Sequence, residues 1–401
     1  MSFSEIFNSI SRLFHKGRRR YLVIEVLNHY VQLTKLWGNI ETKKVVFTKT
    51  WTHEVPEFTI PNILDATTTL LKKVRHSDTY EIILSLDSSI ATTMYSSVSL
   101  IRSHAKEEID EADIDNLVSQ AIWRFFDRNR VRVARKMNID DVDVLLSDVR
   151  IRGVKLDGHR IMNPIGFKAK SVEIFFSQTF SVREFLRGLY AILPKHSITL
   201  MTETGTAISN VVHRALDPGQ FFLANIFLNE TTLFAASSER LAYHDSFEWG
   251  SNDVLSAVTG HLGVDQATAQ IIIDTYMNGA MSEDFLRRFE GQVLDAFQGF
   301  AHGLTSLVDA ERATIYINPF FTIPPVIFSG RFQNRIERPM RLLPLSTHMI
   351  TEKLGFDVQF MKSAAVKNPV SVLAAFLEIN FLPQNDTMSH LANRRVRWLV
   401  T

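Results

Sequence analysis

From Val149 to Phe176 the chain is written for strands and tight turns. Val149, Ile151 and Val154 stand among polar residues, a two-residue rhythm that breaks at Gly153. Leu156-Asp157-Gly158 reads as a turn. Asn163-Pro164-Ile165-Gly166 forces a second one: proline fixes its own φ and biases Asn163 away from helix, and glycine accepts whatever φ follows. From Lys168 the alternation resumes through Val172, Ile174 and Phe176. Taken alone, the pattern predicts a β-meander.

The flanking sequence alternates strands with helices. Tyr21–Val26, Tyr30–Trp37 and Lys43–Trp51 read as three strands, Ile60–Val74 as a helix and Tyr80–Leu86 as an apolar strand. Tyr95–Arg102 is a further strand. Ala112–Phe126 is a helix whose Ile114, Leu117, Val118, Ala121, Ile122 and Phe125 form one apolar face, a packing surface. Helix 182–193, strand 198–202 and helix 205–216 lead to a turn at Asp217-Pro218-Gly219 and a new strand at Phe221–Phe227. Beyond it, helices are expected at 249–262, 266–276, 283–308, 346–354 and 370–378, with a strand at 356–360.

Bulk numbers exclude several classes. The 401 residues suffice for more than one domain, and 45% hydrophobic against 22% charged content predicts a folded chain. A net charge of +1 gives no basic field for nucleic acid. With no cysteine, thiol nucleophiles, disulfides and cysteine metal sites are ruled out. No apolar run is long enough to span a bilayer, and the N-terminal basic cluster follows the apolar residues instead of preceding them, unlike a secretory signal. There is no HExxH pair, Gly-x-Ser-x-Gly elbow or Walker loop.

The string Asp157, Gly158, Ile161, Asn163, Pro164, Gly166, Val172, Glu173, Ile174 resembles the small inserted domain of FtsA and PilM, bacterial actin-like proteins of cell division and type IV pilus assembly. Upstream, Glu108-Ile109-Asp110-Glu111-Ala112-Asp113-Ile114 resembles the start of that insert's helix. The resemblance implies an α/β, actin-like (ribonuclease H-like) fold of two halves with a small α+β insert. It divides the chain into 1–20 (amphipathic helix and basic linker), 21–94 and 181–216 (first half), 95–180 (insert), 217–345 (second half), 346–385 (return to the first half) and 386–401 (basic, apolar tail).

Against that family, three nucleotide motifs are eroded. Where active members carry D-I-G-T/S, this chain has Glu25, Val26, Leu27 and Asn28. In place of D-I-G-G-G-T-T-D it has Asn225, Ile226, Phe227, Leu228, Asn229, Glu230, Thr231 and Thr232: asparagine replaces the magnesium-organising acid, side chains fill the glycine positions, and Glu230 adds a negative charge. The adenosine loop keeps Gly330, but Arg331 and Phe332 follow. The resemblance therefore implies a pseudoenzyme with no cofactor, metal or ATP turnover. The alternative is a polymerising protein that binds ATP with Mg through an atypical loop.

Phe3, Ile6, Phe7, Ile10, Leu13 and Phe14 share one helical face, closed by Lys16, Gly17, Arg18, Arg19 and Arg20. Such a segment can lie on an anionic membrane, each basic residue adding about 1 kcal/mol, or dock on a partner or on the protein's own core. Arg124, Arg128, Arg130, Arg132, Arg135 and Lys136 form a basic run that reads as a solvated face or as a docking surface for an acidic partner. The tail 391–401 reads as a basic membrane helix, a frayed end or a last packed strand. Together with the resemblance, these features imply a cytoplasmic scaffold at the inner face of the cell membrane. Its expected partner is a division or pilus/secretion membrane protein. A homo-oligomer is the competing arrangement.

Overall fold

Two sheets with one wiring plan organise the protein. The computed structural model describes residues 18–74, 79–193, 197–216, 219–237, 241–309, 313–380, 388–389 and 392–393. In the first sheet β1 (Arg18–Leu27), β2 (Tyr30–Asn39) and β3 (Lys44–Glu54) form an antiparallel meander. Strand β4 (Glu81–Leu86) pairs parallel to β1, and β9 (Ile198–Glu203) parallel to β4. In the second, β10 (Phe221–Ile226), β11 (Thr231–Ala236) and β12 (Leu241–Phe247) repeat the meander, and β13 (Thr314–Pro319) and β14 (Arg341–Pro344) repeat the parallel additions. A late strand, β15 (Asp357–Phe360), pairs with β3. Set β15 aside, and both sheets run third, second, first, fourth, fifth strand across. This is the actin-like α/β architecture of two related halves.

Helices cross between the parallel strands, as parallel pairing requires. They are α1 (Ile60–Leu71) in the first half, then α2 (Glu111–Met137) in the insert, α3 (Arg183–Ile192) and α4 (Thr204–Leu216). In the second half come α5 (Ser251–Leu262), α6 (Gln266–Met277), α7 (Glu283–Ala296), α8 (Gln298–Leu307) and the short α9 (Gly330–Gln333). The helices α10 (Thr347–Leu354) and α11 (Pro369–Asn380) return to pack on α4. Strand β1 shows why its sheet is covered on both faces. Leu22, Ile24 and Val26 enter one core, and Tyr21, Val23 and Leu27 another, as a period of two dictates.

Between β4 and β9 sits the insert, with strands β5 (Ala91–Ile101), β6 (Val144–Leu156), β7 (His159–Ile161) and β8 (Ser171–Val182) in the order β5-β8-β6-β7 under α2. Both turns in the 149–176 stretch form. Asp157 and Gly158 take φ of 46° and 87°, and Gly166 takes 81°. The Asp157 carboxylate locks the first turn by accepting from the backbone N–H of Ser171 at 2.7 Å. On α2, the predicted apolar face packs on the sheet, with Phe125 edge-on to Phe176 at 5.2 Å.

Several expectations change. Strand β6 runs through Gly153, because its ladder to β8 slips between Ile151 and Gly153 and leaves Arg152 outside the pairing. Helix α2 continues past Phe126, since Val133 and Met137 find apolar cover there. The long 283–308 helix breaks at the buried Phe297 into α7 and α8. Arg18, Arg19 and Arg20 are no linker: they extend β1 against Asn39, Gly38 and Trp37, and Arg19 reaches Glu81 at 3.3 Å. Residues 1–17, with Phe3, Ile6, Phe7, Ile10, Leu13, Phe14 and Lys16, lie outside the described residues. In the tail, residues 388–389 and 392–393 are helical, not a last strand. Met388 and Ala392 join the insert core, Ser389 accepts from the Ile151 N–H, and Asn393 bonds both backbone groups of Val149. The remainder of 391–401 lies outside the described residues.

Candidate functional site

The first turns of the two meanders meet. Asn28 and His29 join β1 to β2, and Phe227 to Glu230 join β10 to β11. Asn28 Nδ2 donates to Glu230 Oε1 at 3.1 Å, and Asn229 Nδ2 lies 3.3 Å from His29 Nε2. Below them Asp87, at the end of β4, is buried and accepts from the Asn28 N–H at 3.2 Å. Burial pushes both Asp87 and Glu230 above the usual carboxylate range, and the Asp87 charge adds to the shift at Glu230.

The second turn is also pinned from behind. Phe227 stacks on Phe320 with ring centres 4.6 Å apart. The first N–H groups of α5 donate to the turn's own carbonyls, Ser251 to Phe227 at 3.0 Å and Asn252 to Leu228 at 2.9 Å. A helix N-terminus of this kind can hold an anion; here the turn takes those donors. Gly250 makes the approach possible, since a Cβ there would lie 2.4 Å from the Leu228 oxygen.

A buried polar chain crosses between the halves. Glu25 is fully buried. It accepts from Gln32 Nε2 at 2.7 Å and from the Ser371 hydroxyl. Burial outweighs these bonds and pushes its carboxyl up to about 7. Ser371 lies in the first turn of α11, where Asn368 caps by accepting the Ser371 N–H at 3.0 Å ahead of Pro369. The Asn368 amide donates to Asn318 at 2.9 Å, and the Asn318 amide donates to Asn225 at 2.8 Å. Asn225 Nδ2 ends the chain without a partner.

The structure thus brings Glu25, Leu27, Asn225, Phe227, Leu228, Asn229 and Glu230 to one junction, with Leu27 buried in the core beneath. It does not bring Gly330 and Arg331 there. They begin α9, where Ser329 caps, Phe332 plugs the core against Phe297 at 5.4 Å, and Arg331 reaches Glu290 at 3.4 Å.

Other buried ion pairs, which the sequence reading missed, tie the insert to the main body. Lys136, read within a solvated run, is instead largely buried and pairs with the fully buried Glu203 at 2.5 Å. Glu203 also accepts from the Thr93 N–H at 2.9 Å and the Thr206 hydroxyl at 2.7 Å. Arg152 bonds Glu378 at 2.8 Å, and Thr202 and Tyr95 donate to the same carboxylate at 2.9 and 3.0 Å. Lys136 carried a local signal, lying next to the apolar Val133 and Met137 on the helix, and Arg152 a faint one beside Gly153. Among the described residues no cluster of acids and histidines could hold a metal, and no helix is long and apolar enough to cross a membrane.

No protein-family model matches the chain, and no curated protein sequence matches it. Among solved structures, a PilM–PilN type IV pilus biogenesis complex is similar at 12% identity, with 94% of this chain and 98% of that one covered and a TM-score of 0.49. The ethanolamine utilization protein EutJ of Carboxydothermus hydrogenoformans is similar at 8% identity, with 89% of each chain covered and a TM-score of 0.38. ADP-bound MreB5 of Spiroplasma citri is similar at 9% identity, with 84% and 95% covered and a TM-score of 0.38.

Proposed function

We propose that this protein is an actin-like scaffold of the FtsA/PilM kind, an adaptor in cell division or in type IV pilus or secretion assembly that does not turn over ATP. The observation that carries this reading is the contact between the two turns. In an actin-like protein that binds nucleotide, the space between these turns belongs to phosphate, and glycines let it approach the backbone. In this protein Asn28 and Glu230 bridge that space at 3.1 Å. Phe227, Leu228 and Asn229 put side chains where an anion needs bare backbone, and Glu230 sets a carboxylate against it. The residues of the magnesium position do not fit a metal-nucleotide either, because Asn225 is committed to Asn318 and Glu25 is sealed between Gln32 and Ser371.

The partner in this reading is an inner-membrane protein of the same machine. In the same reading the apolar residues Phe3, Ile6, Phe7, Ile10, Leu13 and Phe14, with Lys16, hold the scaffold at the membrane. Calorimetry with Mg-ATP on the full chain, alongside a thermal-shift series, tests the central claim. No heat and no shift at millimolar nucleotide are expected. Micromolar binding would overturn the reading in favour of a nucleotide-dependent, polymerising protein. Deleting residues 1–17 is expected to abolish co-sedimentation with anionic liposomes; unchanged binding would remove the membrane tether.

A further inference from the structure

The basic run on α2 leads into a cavity that the proposed scaffold role does not use. Arg124, Arg128, Arg132 and Arg135 follow one another at i, i+4, i+8 and i+11, all exposed. None of the four has an ion pair or hydrogen bond among the described residues. The first two stand on open helix surface. The last two line a cavity of about 430 Å³, a volume suited to a small molecule. The insert supplies one side of it through α2 and Thr92 to Met94 of β5, and the second half supplies the other through Tyr243 to Ser246 of β12. Neither of the meeting turns at residues 27–30 and 227–230 lines it.

The lining sorts by chemistry. Lys136 is neutralised by Glu203 at 2.5 Å and set over the Tyr243 ring at 3.9 Å, so it builds the wall more than it offers charge. Arg132 and Arg135 remain as two uncommitted guanidinium forks, the geometry that holds a phosphate by paired N–H donors. Basic residues in a last helical turn also favour the helix dipole, but that accounts for neither the cavity nor Arg132, a turn further back. On the opposite wall Asp245 already accepts the Ser246 N–H at 2.9 Å through one oxygen and keeps the other as an acceptor, and Ser246 carries a hydroxyl that bonds Tyr243. A carboxylate there repels a bare polyanion and suits a molecule that carries hydroxyl groups beside its phosphate.

We propose that this cavity binds a small hydroxylated phosphate monoester, such as a sugar phosphate, with the phosphate on Arg132 and Arg135 and the hydroxyls toward Asp245 and Ser246. Bound there, the ligand ties the insert to the second half.

The test uses the full chain, thermal shift and calorimetry without magnesium, and four probes: glucose 6-phosphate, inorganic phosphate, glucose, and sodium chloride at matched ionic strength. A saturable rise in Tm is expected with glucose 6-phosphate, a weaker one with inorganic phosphate, and none with glucose or salt. Arg132→Ser/Arg135→Ser should weaken glucose 6-phosphate binding by about tenfold or more, the loss expected for a charge-assisted hydrogen-bond pair. Arg124→Ser/Arg128→Ser, on the same helix but outside the cavity, should bind as the parent does. Arg132→Lys/Arg135→Lys keeps the charge and should bind at intermediate strength, which also covers the case in which the serine pair misfolds. Equal loss in both serine pairs, or no saturable response to either phosphate probe, overturns the proposal. Nucleotide binding that survives Arg132→Ser/Arg135→Ser would count against the scaffold reading and leave this site untouched.

Discussion

Two carboxylates are buried at opposite ends of α11, and they are held in opposite ways. Glu25, on β1, faces the first turn of the helix and meets only neutral donors, Gln32 and Ser371. Glu378, in the last turn, meets the Arg152 guanidinium at 2.8 Å as well as Thr202 and Tyr95. Both acids are at most 1% exposed. The difference teaches what each end does. The Glu378 end fastens the insert's β6 to the main body by charge, across 226 residues of sequence. The Glu25 end closes the junction between the halves with neutral hydrogen bonds, and leaves a carboxyl pushed up to about 7 by burial.

The largest effect should come from breaking the charged end. Arg152→Met leaves Glu378 buried without its cation, and removing one partner of a buried pair costs about 3–5 kcal/mol. Urea unfolding should show that loss. Replacing both partners, as Arg152→Met/Glu378→Met, should recover part of it: no buried charge is left unpaired, although Thr202 and Tyr95 lose their acceptor. Arg152 also donates to Ser177 Oγ at 3.1 Å and to Tyr95 Oη at 3.2 Å, so its removal costs those bonds as well. If the single variant is as stable as the parent, charge does not fasten the insert and the contrast between the two ends fails.

The neutral end should show itself through pH. Glu25 moves from an ordinary 4.5 to about 7 on folding. Between those values the folded state keeps a proton that the unfolded state releases, so stability falls as pH rises. The Glu25 share of that fall is about 3 kcal/mol between pH 4 and pH 8. Asp87 and Glu230 shift the same way, also through burial. Glu25→Gln therefore isolates one share: its unfolding free energy should vary about 3 kcal/mol less over that range than the parent's. Parallel curves for parent and variant would mean that burial does not raise the Glu25 carboxyl.

These two ends also mark where the sequence was readable. The insert's turns were legible because Asp157, Gly158 and Gly166 announce their backbone geometry locally. The strands of the first half followed from apolar runs and turn residues in the same way, whereas β11 to β14 and the order of the strands in each sheet did not. The substitutions at both meander turns were visible as residue types, but nothing in Asn28 announces Glu230, which is 202 residues away. Arg152 carried a faint mark, lying beside the glycine where the alternation stumbles; its partner Glu378 carried none. Helix α2 was cut short because its buried face changes. Up to Phe125 the apolar residues cover the insert sheet; beyond it Val133, Ala134 and Met137 are buried while Arg128, Arg132 and Arg135 stay exposed. A single stripe of 3.6-residue period does not follow that change, and Lys136 was lost with it.

The smallest effect belongs to the contact between the turns, and it decides whether the junction is closed by a bond or only by shape. Asn28 and Glu230 are both half-buried, and a neutral amide on a carboxylate in such a place contributes about 1 kcal/mol net. A double-mutant cycle of Asn28→Ala and Glu230→Ala should return a coupling of about that size, larger on the alkaline side of the Glu230 titration than on the acid side. The sign follows from burial, which raises the Glu230 proton affinity and so weakens the acceptor as the pH falls. Zero coupling on both sides would leave the bridge without energetic content. The closed junction would then rest on the packing of Phe227 against Phe320 and on the turn carbonyls tied to α5, contacts that Asn28 does not touch.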